Sequence, residues 1–498
     1  MNFFVRIAML AALPALAAAT TCESLSTLAL PDTTITLARA VGAGEFALDG
    51  PGGAGFKNLP AFCRVAATLK PTSDSDIKIE VWLPATGWNG KFEAVGNGGW
   101  AGSISYAAMA QALRRGYATS STDTGHAGGS GSFALGHPEK LIDFGYRSEH
   151  EMTVKAKAII TAFYGNAPRF SYWNGCSTGG RQGLKEAQRF PADYDAVIAG
   201  APANPRTHLA FATLWIAQAA HKTADSYIPP SKYPLIHQAV IDACDALDGL
   251  KDGLIGDPTR CRFDPKSIEC KDADSAACLT AAQVETVKNI FSPARNPRTG
   301  EEIYPPLEPG SELGWAVVAG PRPFQPTVDH FKYVVFKDPE WDWKNLNFDS
   351  HVALADKIDN ETINATDPNL KPFLARKGKL LLYHGFSDPN VAPRSTINYY
   401  KRVVDTLGGE RKTSDSIRLF MVPGMGHCGG GEGANTFDAM SALEQWREND
   451  SPPERIIASH STGGQVDRTR PLCPYPQVAK YKGTGSIDEA ANFVCGVR

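Results

Sequence analysis

Three features of the sequence predict an α/β fold built around a parallel sheet. Short apolar or β-branched runs recur along the chain. Helix-like segments separate them, and many of the runs end in glycine-rich or polar loops. Composition agrees with a large packed core: of 498 residues, 43% are hydrophobic and 21% charged, which is globular rather than disordered.

Residues 1–19 stand apart from that fold. Arg6 precedes an apolar run from Ile7 to Ala19, and Ala17-Ala18-Ala19 fits a small-residue cleavage site, so the segment reads as a secretory signal peptide. It is too short to span a bilayer. A secreted or periplasmic protein follows. The ten cysteines, an even number with no Cys-x-x-Cys pair, then read as disulfides of an oxidising compartment.

The elements follow in order. Ile77 to Leu83 alternates in the β manner. Phe92 to Val95 is a second run and leads into Gly96-Asn97-Gly98-Gly99. Gly116 to Ser121 leads into Asp123-Thr124-Gly125-His126. Glu149 to Tyr164 has helical periodicity. A strand at Phe170 to Asn174, a turn, and a helix at Gly179 to Arg189 come next. Ala196 to Gly200, Lys379 to Tyr383 and Ile417 to Val422 read as further strands. Between 203 and 374 the texture changes to Pro, Asp, Trp and Phe with four cysteines and little strand–helix alternation. That stretch reads as an inserted domain, leaving 20–202 and 375–498 as one discontinuous core.

Charge narrows the partner. Lys+Arg is 50 against Asp+Glu 53, a net of −3. No basic excess exists to neutralise nucleic-acid phosphates, and no polybasic run to hold an anionic membrane. A small neutral or weakly acidic molecule fits better. Nothing in the sequence specifies an oligomeric state.

Gly175-Cys176-Ser177-Thr178-Gly179 matches Gly-x-Ser-x-Gly between a strand and a helix, the context of a nucleophile elbow in an α/β-hydrolase. A serine hydroxyl needs a base, and the base an orienting acid; in that fold they follow in the order Ser, acid, His. Asp388 and His427 lie in loops after consecutive strands and fit that order. His384 and His126 are competing loop histidines, each a substrate contact or, as loop histidines more often are, a structural hydrogen-bonder. A cysteine adjoins each proposed partner, Cys176 beside Ser177 and Cys428 beside His427. A bond between them would clamp the nucleophile loop to the base loop. The oxyanion donors expected are the Thr178 amide and one from Gly98 or Gly99. Trp100 beside those glycines is a pocket candidate. In the insertion, Asp245, Asp248 and Asp252 with Gly249 and Gly253 fit either a calcium loop unlike an EF-hand or a solvated acidic turn.

Taken together, Cys176-Ser177, Asp388 and His427-Cys428 resemble the tannase and feruloyl esterase family, which includes the mono(2-hydroxyethyl) terephthalate hydrolases. The resemblance implies an α/β-hydrolase core with a large inserted lid domain that carries a calcium loop, covers the active site and binds the acyl group. It implies Ser177 as nucleophile, His427 as base, Asp388 as orienting acid and a Cys176–Cys428 disulfide. It implies structural Ca2+ held by Asp245, Asp248 and Asp252 and by the main chain of Leu250 and Leu254. It also implies the pairs Cys22–Cys63, Cys244–Cys261, Cys270–Cys278 and Cys473–Cys495. The activity implied is a serine carboxylesterase acting on feruloyl or other hydroxycinnamoyl esters, some carried on plant cell-wall sugars. Galloyl esters or a terephthalate monoester are the alternatives; for the last of these Arg322 could pair with the free carboxylate, and it fits equally well as a surface residue. A non-catalytic calcium-dependent carbohydrate-binding protein is the reading from another class; a complete Ser177, Asp388, His427 set argues against it.

Overall fold

A computed structural model describes residues 21–48 and 56–497. The expected signal peptide lies outside the described residues. The chain builds a nine-stranded sheet from β1 (Thr33–Val41), β2 (Phe62–Leu69), β3 (Ile77–Pro84), β4 (Lys91–Val95), β5 (Ala118–Thr122), β6 (Phe170–Cys176), β7 (Ala196–Gly200), β8 (Lys379–Gly385) and β9 (Ile417–Val422). Their order across the sheet is β1-β2-β3-β5-β4-β6-β7-β8-β9. From β5 to β9 every neighbouring pair is parallel, while β1, β2 and β3 form an antiparallel edge. This is the mixed sheet with a parallel core of the α/β-hydrolase architecture.

The period of two in the strands explains why both faces are covered. In β7, Val197 and Ala199 join one apolar cluster, while Ala196 and Ile198 join another on the opposite face. In β8, Leu380 and Leu382 point one way and Leu381 the other. Helices supply the complementary layers. Besides α1 (Tyr106–Arg114), these are α2 (Ser148–Tyr164), α3 (Thr178–Arg189), α4 (Arg206–Ala220), α5 (Tyr233–Cys244), α6 (Ala281–Ile290), α7 (Ser350–Asp359), α8 (Pro393–Thr406) and α9 (Ala439–Asn449). Residues of α2, α3 and α8 pack on the first face; those of α1 and α9 pack on the second.

Residues 201–378 leave the sheet after β7 and return as its neighbour β8. Most of this stretch has an apolar cluster of its own, with α4, α5 and α6 around the fully buried Trp315 and Phe331. Ala365, Leu370 and Phe373, which the expected 374/375 boundary assigns to the insertion, pack instead into the sheet's core cluster. No helix among the described residues is long and apolar enough to cross a membrane. All ten cysteines are paired: Cys22–Cys63, Cys176–Cys428, Cys244–Cys261, Cys270–Cys278 and Cys473–Cys495.

Candidate active site

Three strands end at the candidate site. After β6 the chain turns at Ser177 and enters α3 at once. Ser177 has φ 62° and ψ −122°, a conformation that side-chain-bearing residues rarely adopt. The turn is pinned by main-chain bonds: Ser177 N–H donates to Gly200 O at 2.9 Å, and its carbonyl accepts from Arg181 and Ala203 at 3.0 and 3.1 Å. Glycine is required around it by close approach. A Cβ on Gly175 would lie 2.5 Å from the Gly179 main chain, and one on Gly180 2.4 Å from Gly200 O. The serine is thus held at the apex of a tight strand–helix junction.

Asp388 follows β8 and His427 follows β9. His427 Nδ1 lies 2.7 Å from Asp388 Oδ2. With Nδ1 committed as donor, Nε2 is the basic nitrogen of the neutral ring. The Cys176–Cys428 bond, with Cα atoms 6.0 Å apart, makes the neighbours of Ser177 and His427 covalent partners. Ser177, Asp388 and His427 therefore converge on one end of the parallel strands.

His384 is the residue whose part the sequence did not assign. It is fully buried, as is Asp388. Its Nε2 lies 3.0 Å from Asp388 Oδ2 and 3.0 Å from Val391 O, so this nitrogen carries the proton. Its Nδ1 then accepts from Thr396 Oγ1 at 2.7 Å. The other Asp388 oxygen accepts from the Asn390 and Val391 amides at 2.8 and 2.9 Å. Burial alone would raise the Asp388 carboxyl, but the His427 charge and the bonds from His384 and His427 outweigh it and hold the group well below the usual carboxylate range. Burial works against the charged form of His427; the facing Asp388 charge and hydrogen bond prevail and raise it above the ordinary imidazole value.

The glycine-rich loop after β4 packs against α3. Gly179 N–H donates to Asn97 O at 2.8 Å, Ala101 N–H to Gly98 O at 2.8 Å, and Thr178 Oγ1 to Gly99 O at 2.9 Å. A trans peptide sets each N–H opposite its carbonyl, so the Gly98 and Gly99 amides point away from these partners. Cβ atoms built on Gly98 or Gly99 meet no heavy atom within 4 Å. Thr178 is the first residue of α3, so its N–H has no intrahelical acceptor.

The two proposed substrate contacts differ in exposure. Trp100 is only 1% exposed. Its indole donates to Pro326 O at 2.7 Å, its ring lies 4.6 Å from Phe144, and the Arg206 guanidinium sits 4.8 Å above it. It is a buried tie between the glycine loop and the insertion, because a large flat side chain with one donor is best satisfied there. Arg322 is exposed on the insertion. His126 is buried, with Nε2 2.8 Å from Trp100 O and its ring stacked on Phe133, so it braces the same loop.

In the acidic loop, Gly249 and Gly253 take φ values of 93° and 77° and fold the chain back on itself. Asp245 accepts from the Asp252 and Gly253 amides, Asp248 from Leu250, and Asp252 from Leu254 and the Arg470 guanidinium. Burial raises Asp248, and the neighbouring Asp252 and Asp245 charges raise it further. Burial also raises Asp252, with the Asp245 charge adding to it against Arg470. A hard oxygen-seeking cation would relieve that repulsion, so the donor set fits calcium. The loop forms one wall of a groove of about 880 Å3 that also takes in Arg470, Tyr475 and Phe493; the Ser177, Asp388 and His427 cluster does not line it.

Comparison with known proteins agrees with this architecture. The family described as "Tannase and feruloyl esterase" matches residues 63–496. An uncharacterized esterase of Xanthomonas campestris pv. campestris is 40% identical, covering 96% of this chain and 91% of that protein. A probable feruloyl esterase B-2 of Neosartorya fischeri is 36% identical over 87% of this chain and 86% of its own. Among solved structures, feruloyl esterase B from Aspergillus oryzae superposes with a TM-score of 0.89 at 33% identity, over 95% of this chain and 99% of that one. Tannin acyl hydrolase from Aspergillus niger, at 23% identity and a TM-score of 0.78, shares the fold. The chain belongs to the tannase and feruloyl esterase family of carboxylic ester hydrolases.

Proposed function

We propose that this protein is an exported serine carboxylesterase that cleaves aromatic acid esters, with feruloyl and related hydroxycinnamoyl esters as its substrates. The observation that carries the reading is the strained Ser177 turn, bonded through Cys176–Cys428 to the loop whose His427 donates to the buried Asp388. In this reading His427 Nε2 takes the Ser177 hydroxyl proton as Oγ attacks the ester carbonyl. The Thr178 amide and one from Gly98 or Gly99 hold the developing oxyanion. His427 then gives the proton to the leaving alcohol, and a water activated by the same ring releases the aromatic acid. Asp388 fixes the ring's tautomer and stabilises the imidazolium. Five disulfides accord with export. Asp245, Asp248 and Asp252, with the carbonyls of Leu250 and Leu254, would hold structural calcium.

The test is a panel of methyl ferulate, methyl gallate and mono(2-hydroxyethyl) terephthalate. We expect methyl ferulate to give the highest kcat/KM. Ser177→Ala should lower it by about 10^5- to 10^6-fold without changing the fold. Preference for gallate or the terephthalate monoester overturns the substrate class alone. Full activity in Ser177→Ala overturns the mechanism.

A further inference from the structure

A second constellation lies on the far side of α3. His150 on α2, Glu186 near the end of α3, and Asp193 on the turn into β7 each place a ligand atom within 4.8 Å of the others. Glu186 is nine residues from Ser177, or about 14 Å along the helix. The cluster is therefore separate from the ester-cleaving groups.

Glu186 makes the arrangement unusual. It is 1% exposed, and neither carboxylate oxygen has a hydrogen-bond partner. The Asp193 carboxylate lies within 4.8 Å of it, one acceptor against another. A buried carboxylate with no donor is costly unless a cation or a shared proton meets it. The other two ligands are already positioned. His150 Nδ1 lies 2.6 Å from Asp193 Oδ2, and the imidazole stacks on Phe190 with centroids 3.9 Å apart and planes 9° from parallel. Lys157 donates to the main-chain oxygen of Asp193 and lends Glu186 a nearby positive charge, but no hydrogen bond. The His150 side chain is 30% exposed and that of Asp193 12%, so an ion has a way in from solvent.

We propose that His150, Glu186 and Asp193 form a zinc site. One imidazole nitrogen and two carboxylate oxygens are a three-ligand set for Zn2+, with water in the fourth position. The imidazole favours zinc over calcium or magnesium, which take oxygen alone. Binding requires only a small spreading of His150 from Asp193, and the proton between them leaves to solvent. The ion would fasten α2 and the 190–195 turn to the C-terminal end of α3.

The test counts metal. Mature protein is stripped with chelator, returned to millimolar Ca2+ so that any calcium loop is filled, and dialysed against micromolar Zn2+. Bound zinc is measured by elemental analysis, and the melting temperature is followed in parallel. We expect one zinc per chain and a rise in melting temperature. Glu186→Gln, nearly isosteric, and His150→Ala, at a partly exposed position, should each weaken zinc at least tenfold while keeping the native circular dichroism. A wild-type chain that retains no zinc overturns the site and leaves Glu186 and Asp193 sharing a proton. Equal zinc in the wild type and in whichever variant folds also overturns it, by placing the ion elsewhere.

Discussion

Asp388 is the residue on which the candidate site turns, and its four hydrogen bonds decide how the site responds to pH. The folded-state pKa of His427 is raised and that of Asp388 lowered. With His427 as the base of the proposed mechanism, kcat/KM should rise with pH through a value above the ordinary imidazole 6.5. Asp388→Asn should move that acid limb downward while lowering the plateau, and a limb that stays put would show that Asp388 does not set it. The stability terms have opposite signs. The Asp388 contribution is present above the ordinary 3.8 and lost as pH falls through its depressed value. That of His427 is present below 6.5 and lost as pH rises through its raised value. His384 is a positioning residue in this scheme. Removing its donor from a buried carboxylate costs about 1–3 kcal/mol, so His384→Ala should lower kcat about 10- to 100-fold with little change in KM. A kcat within twofold of wild type would mean that His427 alone orients Asp388. The sequence offered His384 only as one loop histidine among several. Its function depends on a bond from the strand end across to the next turn, which no spacing rule specifies.

At the scale of elements, the most legible features were those with two independent signals. The nucleophile turn has a motif and a strand–helix context, and the structure places a strained serine there. β7 and β9 were legible to the residue because both are nearly continuous apolar runs buried on both faces, β7 inside the sheet and β9 as its last parallel strand. β1 was not, since it is a half-exposed edge strand with an irregularity between Ile35 and Leu37. Trp100 was legible only as an aromatic beside a glycine loop, because its burial against residues from 144, 206 and 326 is invisible in one dimension. Close packing of α3 on β7 gives an element-level test. A methyl group on Gly180 would press on the Gly200 and Pro202 main chain, which cannot yield as a flexible side chain does. Gly180→Ala should cost about 1–3 kcal/mol in stability. It should also displace Ser177 enough to lower kcat/KM about 100-fold. Wild-type kinetics in that variant would show that α3 tolerates the shift.

For the whole molecule, the contacts between insertion and core are what hold it in register. Trp100 reaches Pro326, and His237 on α5 bridges Glu312 of the insertion to Glu432 beyond β9. Arg468 and Arg470 reach back to Asp252 in the acidic loop. Calcium in that loop would therefore strengthen the joint as well as the turn itself. Chelation should lower the melting temperature by about 5 °C or more while leaving the initial rate at 25 °C within about twofold, because the hydrogen bonds of the loop's carboxylates go to its own main chain and to Arg470, not to Ser177, Asp388 or His427. An unchanged melting temperature would argue for a solvated acidic turn. Asp248→Asn should reproduce the loss and abolish the response to added calcium.

The Cys176–Cys428 bond also has a consequence in time. Its two sulfurs are 252 residues apart. A ribosome adding about 5–20 residues per second needs roughly 10–50 s to cover that distance. Throughout this interval Cys176 is a lone thiol, and Cys244, Cys261, Cys270 and Cys278 all emerge before its true partner. This clasp is among the last links the nascent chain can close. Each molecule must carry its candidate site unfinished through synthesis, guard it from mispairing, and complete it only after Cys428 has been made.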